Sequence, residues 1–193
     1  MKFLRGFLRR PKQVGSIIPS SRFLERRIVR NAGIERANVV VELGPGTGGT
    51  TRALLNALHN DARLVAIEID AGFASWLRSQ IRDPRLTVHQ GSAEDLQQIL
   101  TQYGFDSADV VLSGIPFSTM PRATGTAILS GVKRALRPGG RFVAYQMRDR
   151  VKTLGRRVFG QPRVQIEIRN IPPMRVFVWD KSVTPGNGPA LGG

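Results

Sequence analysis

The chain has 193 residues, enough for one α/β domain with a real core and short for two. With no cysteine and two isolated histidines, His59 and His89, it excludes disulfides, thiolate metal sites and cysteine nucleophiles, and disfavours a histidine metal cluster. The formal charge of +15 is concentrated: residues 1–30 hold nine Lys/Arg against Glu25 alone, and 148–163 hold six against Asp149 alone, a clustering that points to a polyanion such as anionic lipid or RNA.

The first predicted element is a short amphipathic helix. Phe3, Leu4, Phe7 and Leu8 share one face, with Lys2, Arg5, Arg9, Arg10 and Lys12 around the rest, until Pro11 disfavours its continuation. It reads as an interfacial helix on anionic lipid; the alternative is a stripe packed on the protein's own core. No stretch approaches the roughly 20 uncharged apolar residues of a membrane span, and arginines interrupt the apolar run that a secretory signal needs, so a cytoplasmic location is expected. Ser20 and Ser21 are placed to cap a helix over Phe23 to Val29.

From Asn38 onward, apolar runs alternate with helical periodicity. Val39 to Val41 predicts a buried strand, Thr50 to Leu58 a helix, Leu64 to Ile67 a strand and Ala71 to Ile81 a helix. Leu86 to Val88, Val110 to Leu112 and Phe142 to Tyr145 continue the strands; Ala93 to Tyr103 and Thr124 to Leu136 are the helices between them, the latter ended by Arg137-Pro138-Gly139-Gly140. This repeat is the unit of a parallel sheet. Val151, Leu154, Val158 and Phe159 then form an apolar stripe among Arg148, Arg150, Lys152, Arg156 and Arg157, facing either a bilayer or the core. Residues 164–180 predict an antiparallel pair closing the sheet, and residues 182–193 a Gly/Pro-rich disordered tail.

Chemistry concentrates in Val41-Glu42-Leu43-Gly44-Pro45-Gly46-Thr47-Gly48-Gly49, between a strand and a helix. Glycines let the main chain turn tightly and approach a ligand, but the same residues satisfy a dinucleotide fingerprint, so the loop alone leaves NAD and S-adenosylmethionine open. Glu42 decides between them. A carboxylate facing the crevice suits a ligand with an ammonium and a sulfonium and would be repelled by a pyrophosphate, and Pro45 removes a main-chain donor that a phosphate would use. Glu68, ending the second strand, can accept both ribose hydroxyls of either cofactor.

Glu42 to Gly48, Val65-Ala66-Ile67-Glu68, Gly91-Ser92-Ala93-Glu94-Asp95 and Leu136 to Gly140 together resemble the motifs of class I S-adenosylmethionine-dependent methyltransferases. The resemblance implies a Rossmann-like α/β fold with a mostly parallel seven-stranded sheet, an antiparallel last strand and the N-terminal amphipathic helix. It implies cofactor contacts from Glu42, Gly44, Gly46, Thr47, Gly48, Glu68, Ile69, Ser92, Ala93, Glu94 and Ser113. Ser92 stands where many relatives carry an aspartate beside the adenine, with Glu94 as a possible substitute.

Three further segments, Val14 to Ser21, Ser113-Gly114-Ile115-Pro116-Phe117 and Arg169-Asn170-Ile171-Pro172-Pro173, resemble bacterial phospholipid N-methyltransferases. That family converts phosphatidylethanolamine through its mono- and dimethyl forms to phosphatidylcholine. The implied organisation is a membrane-binding and cofactor-covering segment over 1–21, a methyltransferase domain over 22–181 and the tail. Gly15 to Pro19, with Ser16 and Ile17, would cover the cofactor, and the protein would sit on the inner face of the bacterial cytoplasmic membrane. Ile115, Pro116 and Phe117 would form the acceptor loop, its carbonyls holding an amine and the Phe117 ring favouring the developing cation. Tyr145 either orients the amine or relays its proton, or is a packed tyrosine. Phe3, Leu4, Arg5, Phe7, Leu8 and Arg9 would contact lipid, and Arg148, Arg150 and Lys152 its phosphate. No nucleic-acid partner is expected on this reading. The alternatives are an RNA adenine N6-methyltransferase, whose acceptor loop normally begins with asparagine where Ser113 and Gly114 stand, and a non-catalytic peripheral membrane protein.

Overall fold

The computed structural model describes residues 20–183. The amphipathic segment, with Phe3, Leu4, Arg5, Phe7, Leu8 and Arg9, the covering residues Ser16 and Ile17, and most of the C-terminal tail lie outside the described residues.

Helix α1 (Arg22–Ala32) starts where the Ser21 hydroxyl accepts the Leu24 N–H at 3.3 Å, and stops at Gly33, whose left-handed backbone returns its N–H to the Val29 carbonyl. Leu24, Ile28 and Ala32, four residues apart, are its buried stripe. There follow β1 (Val39–Leu43), α2 (Gly49–Ala57), β2 (Arg63–Glu68), α3 (Ala71–Gln80), β3 (Leu86–Gln90), α4 (Leu96–Gln102), β4 (Ala108–Ser113), α5 (Arg122–Ala135), β5 (Leu136–Gln146), α6 (Arg150–Phe159), β6 (Arg163–Glu167) and β7 (Met174–Asp180). The strands form one sheet in the order β3-β2-β1-β4-β5-β7-β6, in which β7 alone runs against the rest. This is the Rossmann-like architecture the sequence implied.

Both sheet faces are covered, as parallel strands require. On one, α1 and α2 bury Leu24, Ile28, Leu54 and Leu55 against Val40, Leu112, Val143 and Val178; on the other, α4, α5 and α6 bury Leu96, Ile128 and Leu154 against Val41, Val111, Phe142 and Trp179. The strand order reverses between β1 and β4, so the loops leaving their carboxyl ends diverge to opposite faces and open a crevice there.

Three expectations change. The predicted helix from Ala93 is divided into a 3-10 turn (Ala93–Asp95), capped by Ser92, and α4. The helix ends before Arg137 to Gly140 as expected, but these residues are also the irregular start of β5, because Gly139 donates to the Lys181 carbonyl and Gly140 accepts from the Lys181 N–H, so the strand begins earlier than Phe142. The stripe on α6 turns inward: Val151 and Leu154 are buried, and the Phe159 ring stacks on Phe142 at 5.6 Å. Gly155 permits this approach, since a Cβ there would lie 2.5 Å from the Trp179 ring. The apolar face of α6 is therefore core, and only its cationic face meets solvent.

Candidate functional site

Three glycines in left-handed conformation, Gly44, Gly46 and Gly48, fold the β1–α2 loop back across the end of the sheet. The loop is pinned from below, where Gly44 donates to the Ile67 carbonyl at 3.0 Å, and from the side, where Gly46 donates to Glu68 Oε2 at 3.1 Å. Glu68 Oε1 accepts the Asp70 N–H at 2.9 Å. The carboxylate thus fixes the loop and the β2–α3 turn, and each oxygen retains a second lone pair for a ligand hydroxyl. Burial pushes the Glu68 carboxyl above its ordinary value, against the backbone donors that hold it down. Beside it, Thr47, Asp70, Phe73 and Trp76 line an apolar cleft of about 340 Å³, and half-buried Ile69 follows the strand.

Glu42 is wholly buried under the loop. Its Oε2 accepts the Thr51 hydroxyl at 2.7 Å, whereas Oε1 has no partner. Burial, with Glu68 adding repulsion and Thr51 opposing, pushes its carboxyl up to about 7. An orphan carboxylate oxygen in a dry site is costly unless a cation arrives to meet it. The donor set therefore fits a ligand with an ammonium at Glu42 and a ribose at Glu68, and does not fit a diphosphate.

Across β4 from Glu42 stands Tyr145, on the same sheet face. Burial first, then the nearby Glu42, raises its phenol well above the usual range despite the Thr50 hydroxyl, so it remains protonated. It can donate a hydrogen bond but is no base at neutral pH. Gly114 makes its room: a Cβ at that position would lie 2.7 Å from the Tyr145 hydroxyl and 3.1 Å from the Gly44 carbonyl oxygen. The Ser113-Gly114 pair, a departure from the asparagine of RNA adenine dimethylases, is thus the counterpart of Tyr145.

The rest of the acceptor loop is fastened more firmly than the sequence implied. The Ser113 hydroxyl accepts the Ile115 N–H at 3.3 Å, the Gln146 amide donates to the Ile115 carbonyl, and the Pro116 carbonyl accepts both the Thr119 N–H at 3.1 Å and its hydroxyl at 2.9 Å. Those carbonyls are engaged within the protein. The Phe117 ring, expected to face a developing cation, is fully buried in the core beside Gly125, and anchors the loop instead. Ser92 spends its hydroxyl on the Glu94 N–H at 3.2 Å; Ala93 is buried and the Glu94 side chain exposed. His89 bonds Tyr103 at 3.1 Å, a structural role on β3.

Arg148 is exposed just beyond β5, Lys152 is half-buried, and Arg150 carries a buried Nε without an acceptor. Sequence reasoning missed Thr51 and Gln146, and gave Gly114 and Asn170 no role beyond the motifs that contain them. Gln146, a polar residue ending an apolar strand, was the one with a visible signal. Asn170 is buried and accepts the Ser21 N–H at 2.8 Å, tying the β6–β7 connection to the start of α1.

A glycine loop over an orphan carboxylate, with a second carboxylate at the next strand end, defines a cofactor crevice of the S-adenosylmethionine type on a Rossmann-like sheet. A model of the methyltransferase domain matches residues 40–140, and the chain belongs to this methyltransferase family, with S-adenosylmethionine as its cofactor. Over 177 residues it is 37% identical to the ornithine lipid N-methyltransferase of Singulisphaera acidiphila, covering 91% of this chain and 92% of that protein. It is also 37% identical to the ribosomal RNA small subunit methyltransferase A of Rhodococcus opacus, over 56% of this chain but only 33% of that one. An O-methyltransferase from Streptomyces achromogenes superposes with a TM-score of 0.68 over 94% of this chain and 91% of its own, at 16% identity, a likeness of fold.

Proposed function

We propose that the chain N-methylates the amine of a membrane aminolipid, taking phosphatidylethanolamine through its mono- and dimethyl forms towards phosphatidylcholine at the inner face of the cytoplasmic membrane. The observation that carries the reading is the 37% identity, along nearly the whole of both chains, to a lipid N-methyltransferase. That relative also favours a second acceptor, an ornithine lipid, whose amine poses the same chemical problem.

S-adenosylmethionine supplies an electrophilic methyl on a sulfonium. Glu42 would hold its ammonium, the turn from Gly44 to Gly48 would let the main chain approach it, and Glu68 would accept its ribose hydroxyls. The protein's remaining task is to present a neutral amine in line and exclude competing nucleophiles. Tyr145, held protonated beside Gly114, would donate a hydrogen bond toward the crevice and orient polar groups there. The proton leaves the amine to water. Exposed Arg148 and half-buried Lys152, with Arg150 between them in sequence, suit a lipid phosphate at the rim. RNA methylation is the weaker alternative, because the RNA-modifying relatives match over a minor part of their own length.

The test is purified full chain with labelled cofactor and liposomes containing phosphatidylethanolamine or an ornithine lipid. Label in methylated phosphatidylethanolamine is the expected result. Label confined to the ornithine lipid transfers the assignment to that acceptor, and label entering RNA but no lipid overturns it.

A further inference from the structure

The sequence left the stripe on α6 to face either a bilayer or the core, and the structure buries it. The rim of the crevice carries another apolar surface. β5 and β7 pair Gln146 with Arg175, and β6 and β7 pair Glu167 with Met174, so residues 168–173 turn at the carboxyl end of β5, the edge where the crevice opens. In this connection Ile168 is 73% exposed and Ile171 is 88% exposed, with half-exposed Met147 at the end of the neighbouring strand.

These isoleucines do not sit on a loose loop. Glu167 is buried and held by Arg27 at 2.8 Å and Arg169 at 3.0 Å; Arg169 in turn lies 4.3 Å from the centre of the Phe23 ring. Buried Asn170 accepts the Ser21 N–H and donates to the Pro172 carbonyl at 2.9 Å. The turn has Glu167 and Asn170 fastened inward and its largest apolar residues aimed outward, the reverse of a soluble surface.

We infer that the β6–β7 connection inserts Ile168 and Ile171 into an anionic bilayer and so seats the crevice mouth on the lipid surface. Charge selects the occupant: residues 147–175 hold eight Lys/Arg against Asp149 and Glu167. Even with Val164 and Ile166, exposed on the adjoining edge strand, these few apolar side chains offer less than the roughly 800 Å² per partner of a stable protein interface, whereas shallow insertion needs only a few apolar side chains with cations beside them. The inference rests on the lipid reading of the function and adds the surface through which the lipid is reached.

The chain has no cysteine, so Ile171→Cys gives a single attachment site for an environment-sensitive fluorophore. Vesicles of equal parts phosphatidylethanolamine and phosphatidylglycerol should shift its emission to the blue, and brominated lipid should quench it. The same label at exposed Asn60→Cys, on the α2–β2 connection at the opposite sheet edge, should stay in water. An Ile171 label as wet as the Asn60 label overturns the proposal. The double variant Ile168→Asp/Ile171→Asp should keep its thermal midpoint and bind these vesicles at least about tenfold more weakly; unchanged affinity overturns the proposal. So does a dimer by light scattering that the double variant splits while vesicle binding survives, because the surface would then belong to a second copy of the chain. A label buried in lipid by a protein that methylates no aminolipid would sink the acceptor reading and leave this one standing. Methylation of vesicle lipid with the label still in water would do the opposite.

Discussion

Glu42 and Glu167 are glutamates near the ends of strands, both closed off from solvent, Glu42 deep in the interior and Glu167 close to the surface, and the fold treats them in opposite ways. Two arginines and a backbone N–H meet Glu167, and the side-chain bonds from Arg169 and Arg27 pull its carboxyl down to about 2. Glu42 receives one hydroxyl and a neighbouring carboxylate, and burial pushes it up to about 7. A buried charge supplied with counter-charges by its own chain is structural; one left short is waiting for a charge from outside.

The strongest way to break this comparison is to remove each charge in turn. Glu42→Gln keeps the shape and the Thr51 bond, and should weaken S-adenosylmethionine binding by about 2–5 kcal/mol, thirtyfold or more by calorimetry. Glu167→Gln should leave cofactor affinity within twofold. If both variants bind equally well, Glu42 is not the ammonium site.

Stability should separate the pair next. The native state prefers Glu42 protonated up to about pH 7, whereas the unfolded chain ionises at its ordinary value of 4.5, so the ligand-free protein loses stability as pH rises from 4.5 to 7 and levels off above. Glu42→Gln should abolish that slope and raise stability at pH 8 by about 1–3 kcal/mol in urea titration. For Glu167 the native carboxylate stays charged down to about pH 2 while the unfolded one protonates at 4.5. Its contribution is complete above 4.5 and disappears as pH falls towards 2. Glu167→Gln should cost about 1 kcal/mol at pH 7 and progressively less as pH falls through about 2. Binding of the cation should also lower the Glu42 carboxyl, so calorimetry at pH 7 in buffers of different ionisation enthalpy should detect a fraction of a proton released, and Glu42→Gln should release none.

The smallest effect sharpens the role of Tyr145. Tyr145→Phe removes a donor but no base, so turnover should fall about tenfold without a shift in the pH profile between 6 and 9. A lost basic limb would make the phenol the proton acceptor after all.

Much of the fold was legible because its signals are local. Hydrophobic runs marked the strands from Val39 to Tyr145, Ser21 marked the start of α1, and the glycines of the β1–α2 loop marked a backbone that only glycine adopts easily. The two crevice carboxylates were legible in position for a similar reason, since a strand end followed by a tight turn fixes where Glu42 and Glu68 must stand. The acceptor loop was less so. Phe117 read as a ring for a cation and proved to be core, because a strand-end loop does not declare in sequence which side it folds to.

Sequence by itself determined the alternation of elements, the glycine turn, the charge clusters and the strand-end positions of Glu42 and Glu68, all properties of residues close together in the chain. Tertiary structure alone decided which apolar stripe is covered and which is free: α6 meets Phe142 and Trp179 from distant strands and vanishes into the core, while Ile168 and Ile171 are held outward by bonds to α1. Amphipathic spacing gives a segment an apolar face, but what that face meets depends on partners more than a hundred residues away, and only their packing selects it.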